Sequence, residues 1–543
     1  MISTLFFSFV GSLIICMALI PPLMATASRL QFLDIPKDQR RVHSNPVAKV
    51  GGIAFGIGTF SAMLIWAPKD DIVVAGLLGG VTILLFGMWD DRVSLPYTVK
   101  FFGQTLGALV VMWQGNIHLN TLPFIEAELP LWIAYPLTIV IIVAVTNAVN
   151  LADGLDGLAG GLSLLSFAGM ACLAYLGGDQ TVTLLMVPVL GGLLGFLRFN
   201  TYPARIFMGD AGSQFLGFFM ALSAIVLTDP QRGPYTPALG LFLLGLPLLD
   251  TVGVMLQRLK EGRSPFVADK NHLHHKLLAM GLSHYEAVLV IYLLQATLVT
   301  LAYVLRWQTE GTILGVYGLV AGVILFPFLR SRVWRIQSNR FLKKADHVLT
   351  QASTITSSPW LTTEPIRILG IAVPAFLILS VFLPRRVPED MSYVAALLFA
   401  VMLIGLWISP PRISSLVVRG GLYVGSTFVM YLSEQPAAST DIFSPIHIFF
   451  VGLAFLVALT IRFNSEHRFQ TTPLDYLMVF LAVMVPALPE MQVGDIHLSF
   501  LTAKLIVLFF SFELLLHVFA QRLTQLGLVA LWLLCGIAIR AWL

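Results

Sequence analysis

Long apolar stretches separated by short polar loops dominate the chain, and they predict helices rather than strands because they run well past the length of a strand without alternating. Eleven of them, near residues 4–24, 49–67, 72–88, 99–114, 131–149, 160–177, 183–198, 213–228, 236–256, 286–305 and 311–328, are about as long as a helix that crosses roughly 30 Å of hydrocarbon. Seven more follow, near 366–383, 393–409, 414–432, 443–461, 473–488, 500–519 and 523–541. The expected fold is therefore all-α and polytopic, with about 18 transmembrane helices arranged as 11 + 7.

The polar loops set an orientation. Arg29, Lys37, Arg40, Arg41 and Lys49 follow the first stretch, and basic residues recur around 89–98, 199–212, 257–285 and 329–365, whereas the intervening loops carry few. The positive-inside rule then places the N-terminus outside and the basic loops in the cytoplasm. Ala25-Thr26-Ala27 resembles a signal-peptide cleavage site, but the stretch lacks a basic start, which favours an uncleaved first span. The longest polar stretch, 330–365, begins RSRVWRIQSNRFLKKADHVL and fits either a solvated basic linker or a helix lying on anionic headgroups. It divides a membrane domain at 1–329 from a second at 366–543.

Composition narrows the partners. With 57% hydrophobic residues, 11% charged and a net charge of +4, the chain has no basic cluster interleaved with aromatics, so a nucleic-acid surface is not expected. Cys16, Cys172 and Cys535 lie within predicted spans at no metal-ligand spacing.

Against this apolar background the acidic residues stand out, since a carboxylate at mid-bilayer costs about 2.5–3.5 kcal/mol on insertion scales. FGMWDDR ends a span with Asp90 and Asp91, whose adjacent charges need a cation nearby. The loop NAVNLADGLDGLAGG places Asn147 and Asn150, then Asp153 and Asp156, at i, i+3 spacing among glycines, offering hard oxygen ligands suited to Mg²⁺. RIFMGDAGSQFLGF sets Asp210 at a helix start, where free backbone N–H groups attract an anion and where an acid also serves as N-cap. QRLKEGRSPFVADKNHLHHKLLAMG combines Arg258, Lys260, Arg263 and Lys270 with His272, His274 and His275, which suits diphosphate better than zinc.

Together these motifs resemble the polyprenyl-phosphate N-acetylhexosamine-1-phosphate transferase family over about residues 1–340, including RVHSNPVAKVGGIAF in the first loop. The resemblance implies a bacterial inner-membrane enzyme whose active site faces the cytoplasm. It would move a sugar 1-phosphate from a UDP-N-acetylhexosamine to undecaprenyl phosphate, release UMP and require Mg²⁺, with Mn²⁺ as an alternative. It further implies that Asn150 and Asp210 hold the metal, and that Asp90 and Asp91 position or deprotonate the lipid phosphate. Asp153 and Asp156 would line the nucleotide-sugar pocket, while Lys49, Asn147, Arg263, His272, His274 and His275 would contact substrate.

NHLHHKLLAMG resembles the branch that uses UDP-GlcNAc, and differs from the PLHHHFE-like segment of the UDP-MurNAc-pentapeptide branch. A teichoic-acid, O-antigen or exopolysaccharide is then the expected product line. A transporter is the competing class, but it would place charges near mid-bilayer and leave inverted repeats, and no repeat relates the halves. A homodimer is left open. In the last seven stretches Glu513 and His517 stand one turn apart and are expected to satisfy each other within a bundle.

Overall fold

The computed structural model describes residues 2–34, 46–125, 127–264, 272–329, 363–384, 387–408, 411–433, 445–463, 492–493, 496–518 and 523–540. It divides into two compact units, Met1–Phe341 and Leu342–Leu543.

In the first unit the apolar stretches become α1 (Ile2–Thr26), α2 (Gly51–Trp66), α3 (Asp71–Val93), α4 (Tyr97–Gly115), α5 (Leu131–Ala152), α6 (Leu158–Leu176), α7 (Gln180–Asn200), α8 (Gly209–Leu227), α9 (Gly240–Lys260), α11 (His284–Leu305) and α12 (Glu310–Leu329). A short helix, α10 (Leu273–Ala279), falls in the histidine segment. Two-residue strands β1 (Leu33–Asp34) and β2 (Val47–Ala48) pair before α2. Among the described residues nine helices are long and apolar enough to cross a membrane, eight of them within this unit, and the chain is a multi-pass membrane protein. Helix α4, expected as a span at 99–114, is not among the nine; it carries Lys100, Gln104 and Gln114.

Helix α8 is the axis of the unit. Every residue from Ala211 to Leu227 is buried, and α2, α3, α5 and α6 pack around it. Phe55, Phe60, Phe196, Phe215 and Phe219 interlock with ring centroids 4.6–6.4 Å apart. In lipid the apolar effect does not press helices together, so such close packing and interhelical hydrogen bonds must hold them. Helix α9 is bent where Gly245 leaves helical geometry (φ 55°, ψ −137°) just before Pro247. Gln295 of α11 covers the break, accepting from Leu246 N at 2.7 Å while its own amide donates to Ser166 Oγ at 2.8 Å.

The second unit contains α13 (Glu364–Ser380), α14 (Glu389–Ile408), α15 (Pro411–Ser433), α16 (Pro445–Phe463), α17 (Leu498–Val518) and α18 (Leu523–Arg540), with a strand pair β3 (Gln492–Val493) and β4 (Ile496–His497). Arg419 of α15 donates to both oxygens of Glu513 on α17 at 2.7 and 2.8 Å, and the Tyr423 hydroxyl bonds it too. The sequence reading overlooked Arg419, because only residues on one helix were paired. The side chain of His517, the 473–488 stretch and most of the 330–365 linker lie outside the described residues.

Candidate active site

The acidic motifs meet because α3 and α8 approach closely. A Cβ on Gly87 would lie 2.4 Å from Ala211 Cα, so the α3 backbone can reach α8 only with glycine there. One turn later Asp91 caps α8 from outside, its two oxygens accepting the N–H groups of Asp210 and Ala211 at 2.9 Å each. Gly209, at φ +71°, turns the chain into the helix directly against the Asp91 carboxylate. Of the two roles open to Asp210, the cap is filled instead by Asp91, which leaves the Asp210 side chain 28% exposed beside a buried Asp91.

Asp90 is equally engaged. Leu95 N donates to Oδ1 at 2.8 Å, and Lys100 Nζ stands 2.5 Å from Oδ2 and 3.8 Å from Asp210. Lys49, next to β2, lies 3.9 Å from Asp91 and 3.8 Å from Asp34. Phe207 N donates to Ala48 O, and Gly51 N to Phe207 O, which fastens the first loop to the segment before α8. Two lysines thus flank the acids. Lys49 was expected from the sequence; Lys100 was missed, although a lone charge near the start of an apolar helix was the signal.

Asn150 ends α5 with Nδ2 donating to Asp210 Oδ1 and Ser213 Oγ, both at 2.7 Å. With Nδ2 so used, Oδ1 is the atom of Asn150 that an ion would take. Asn147, expected to touch substrate, lies one turn further along α5, where its amide donates to Gln104 Oε1 at 2.6 Å and Val143 O at 2.7 Å. Among the described residues no three His, Cys, Asp or Glu side chains converge tightly enough to hold an ion unaided. An oxygen-rich pair such as Asp210 and Asn150 still fits Mg²⁺, which takes one or two protein ligands and completes its octahedron with water and substrate phosphates.

Asp153 and Asp156 sit on the turn between α5 and α6. Burial first, then the charges of Asp210, Asp91 and Asp156, push the Asp153 carboxyl up to about 7 against the opposing pull of Lys49. Carboxylates crowded in this way favour a bound cation. Asp156 Oδ2 accepts from Ala204 N at 2.9 Å, and Tyr202 stacks on His284 with centroids 4.4 Å apart. The turn is gripped from two sides, since Tyr292 OH donates to Gly157 O at 2.6 Å and Gly157 N to Asn200 Oδ1 at 3.0 Å.

The histidine segment closes over this turn. Asp250 of α9 accepts Leu273 N and contacts His272 Nδ1, each at 2.9 Å, so an acid that the sequence reading did not single out anchors α10. His274 rests on Gly154, where a Cβ would come within 2.3 Å of Nε2, and His275 stands beside it at 4.1 Å between ring centroids. Burial, then His275, lowers His274 to about 4, with Asp250 opposing and His272 assisting the fall. Arg263, expected to contact substrate, pairs with Glu261 two residues before it. Lys270 lies outside the described residues.

Residues 73–228, which run from α3 to the end of α8 and include Asp90, Asp91, Asn150, Asp153, Asp156 and Asp210, match the model of glycosyl transferase family 4. A Bacillus subtilis protein described as a probable undecaprenyl-phosphate N-acetylglucosaminyl 1-phosphate transferase is 34% identical over 305 residues, covering 56% of this chain and 85% of the relative. The chain belongs to glycosyl transferase family 4. Other family 4 relatives are the undecaprenyl-phosphate alpha-N-acetylglucosaminyl 1-phosphate transferase of Escherichia coli O157:H7, 28% identical over 59% of this chain and 88% of its own length, and the decaprenyl-phosphate N-acetylglucosaminephosphotransferase of Mycobacterium tuberculosis, 33% identical over 50% and 75%. Each of these matches leaves at least two fifths of the chain uncovered.

Proposed function

We propose that the chain transfers N-acetylglucosamine 1-phosphate from UDP-GlcNAc to undecaprenyl phosphate at the cytoplasmic face of the bacterial inner membrane, releasing UMP. The observation that carries this reading is the placement of Lys49 and Lys100 around Asp90, Asp91 and Asp210 at the ends of apolar helices. The names of the relatives support the lipid and the sugar. The wider arrangement is part of the same proposal: about eighteen spans, the N-terminus outside, and a transferase domain separate from a C-terminal domain.

Two phosphate groups must approach each other, so charge is the obstacle. An oxygen of the lipid phosphate attacks the β-phosphorus of the UDP-sugar in line, the bond from that phosphorus to the bridging oxygen breaks, and the electron pair leaves with UMP. A phosphate monoester has a second pKa near 6, so the nucleophile is already ionised at neutral pH. Asp90 then has no proton to remove; it holds Lys100, whose ammonium faces the incoming charge. Lys49 supplies a second fixed cation. Mg²⁺, held by Asp210 and Asn150, would neutralise diphosphate charge when bound. The Asp153–Asp156 turn and the histidines of α10 would enclose the sugar nucleotide.

The test is UMP release by purified protein given undecaprenyl phosphate, Mg²⁺ and a panel of UDP-sugars. Release with UDP-GlcNAc that needs both lipid and metal supports the proposal. Folded protein that releases no UMP with any of the sugars defeats it.

A further inference from the structure

One helical turn inside the charged cluster lies a second, neutral layer made by the same three helices. Lys100 and Gln104 are i, i+4 on α4, Asn150 and Asn147 are i, i−3 on α5, and Asp210 and Gln214 are i, i+4 on α8. Each helix therefore gives one group to the site and one amide to the layer beneath, about 4.5–6 Å away along its axis. In that layer Gln104 Nε2 donates to Gln214 Oε1 at 3.1 Å, while Gln104 Oε1 accepts from Asn147 Nδ2 at 2.6 Å. Gln104 is 1% exposed and Gln214 2%, so neither amide has water as an alternative.

The upper layer cannot set its own geometry. Its link between α4 and α8 is the 3.8 Å approach of Lys100 to Asp210, made through a long, one-third exposed side chain that must shift when substrate phosphates arrive. The amide layer carries no net charge and is insensitive to that arrival. Its bonds are directional, and a slip of one residue, about 1.5 Å along either helix, would break them. Apolar helix faces in lipid impose no such register.

We infer that Gln104 and Gln214 are positioning residues which fix the height of Lys100 on α4 against Asp210 on α8, and thus the separation the two phosphates meet. This rests on the transferase reading for its consequence in turnover, but not for its effect on the site itself. Methionine matches glutamine in length without its amide, so the test compares Gln104→Met, Gln214→Met and the double variant with wild type. Three quantities are measured: kcat and KM for UMP release, affinity for Mn²⁺ by electron paramagnetic resonance, and the unfolding midpoint in detergent.

Gln104→Met takes the donor from the buried Gln214 oxygen, and Gln214→Met leaves the Gln104 N–H with only a 3.5 Å approach to Asn147 Oδ1, so each single variant should unfold earlier; the double variant removes both amides while Asn147 keeps Val143 O, and should regain part of the midpoint. A positioning role predicts that kcat stays down about 10- to 100-fold in the double variant, with KM for the UDP-sugar within about threefold and Mn²⁺ affinity weakened. Recovery of kcat and Mn²⁺ affinity together with stability would overturn the inference and leave the amides a purely structural role. Should wild type release no UMP, the transferase reading fails, and Mn²⁺ affinity in the double variant still decides the positioning claim.

Discussion

Asp91→Asn separates a structural role for this acid from a chemical one. The carboxylate accepts two backbone N–H groups of α8 at 2.9 Å, and its side chain is fully buried. Asparagine keeps one acceptor, so one bond falls from the charged class, about 1.5–3 kcal/mol, to the neutral class, about 0.5–1.5 kcal/mol. The second N–H then faces an amide NH₂ and is left unsatisfied, at about 1–3 kcal/mol. Loss of the negative charge eases repulsion with Asp210 and Asp153, which offsets part of the sum. The net expectation is a loss of about 2–4 kcal/mol, centred on the start of α8. Equilibrium unfolding in mixed detergent, followed by circular dichroism beside UMP release, measures both consequences. Destabilisation with a parallel loss of turnover is the expected outcome. An inactive variant as stable as wild type would refute the capping argument and restore Asp91 to the chemistry.

Asp210→Asn should abolish Mg²⁺-dependent UMP release while the protein remains folded, as judged by its unfolding midpoint. His274 should make the fold acid-sensitive: its pKa falls from 6.5 to about 4 on folding, so stability is complete above about 6.5 and lost as the pH drops toward 4. His274→Gln should flatten that part of a midpoint-versus-pH curve. Arg419→Met removes the two-bonded guanidinium from Glu513 in the second unit and should lower the stability of that unit, by less than the about 3–5 kcal/mol of a fully buried pair because both side chains are partly exposed; the unfolding midpoint in detergent measures it. A chain ending at Phe341 keeps every acidic motif and should still release UMP; stable but inert protein would give the second unit a part in turnover.

Much of the first unit was legible because span-length apolar runs leave helices few alternatives; observed ends fall within five residues of the expected ones. The acids were legible for the opposite reason, as charges too costly to sit there without purpose. What escaped notice were partners whose meaning depends on another helix. Lys100, Gln104, Gln214 and Asp250 read singly as tolerated polar residues in apolar helices, and their pairing spans 10 to 110 residues of sequence. The bond of Asn147 to Gln104 escaped notice because i, i+3 spacing reports a shared face but not depth along the helix. Local sequence left a cap role open for Asp210 beside the metal role, whereas its backbone N–H is capped by Asp91 of α3, 119 residues earlier.

That distance has a consequence for how the protein is made. Synthesis at about 5–20 residues per second puts roughly 6–24 s between the emergence of Asp91 and of the amide it accepts. Throughout that interval two acids must wait at the end of α3 with neither α8 nor its backbone donors present. The charged centre is therefore finished in two stages: Leu95 N and Lys100 can meet Asp90 within ten residues, whereas Asp91 gains its two backbone donors only when α8 enters the membrane and docks on α3.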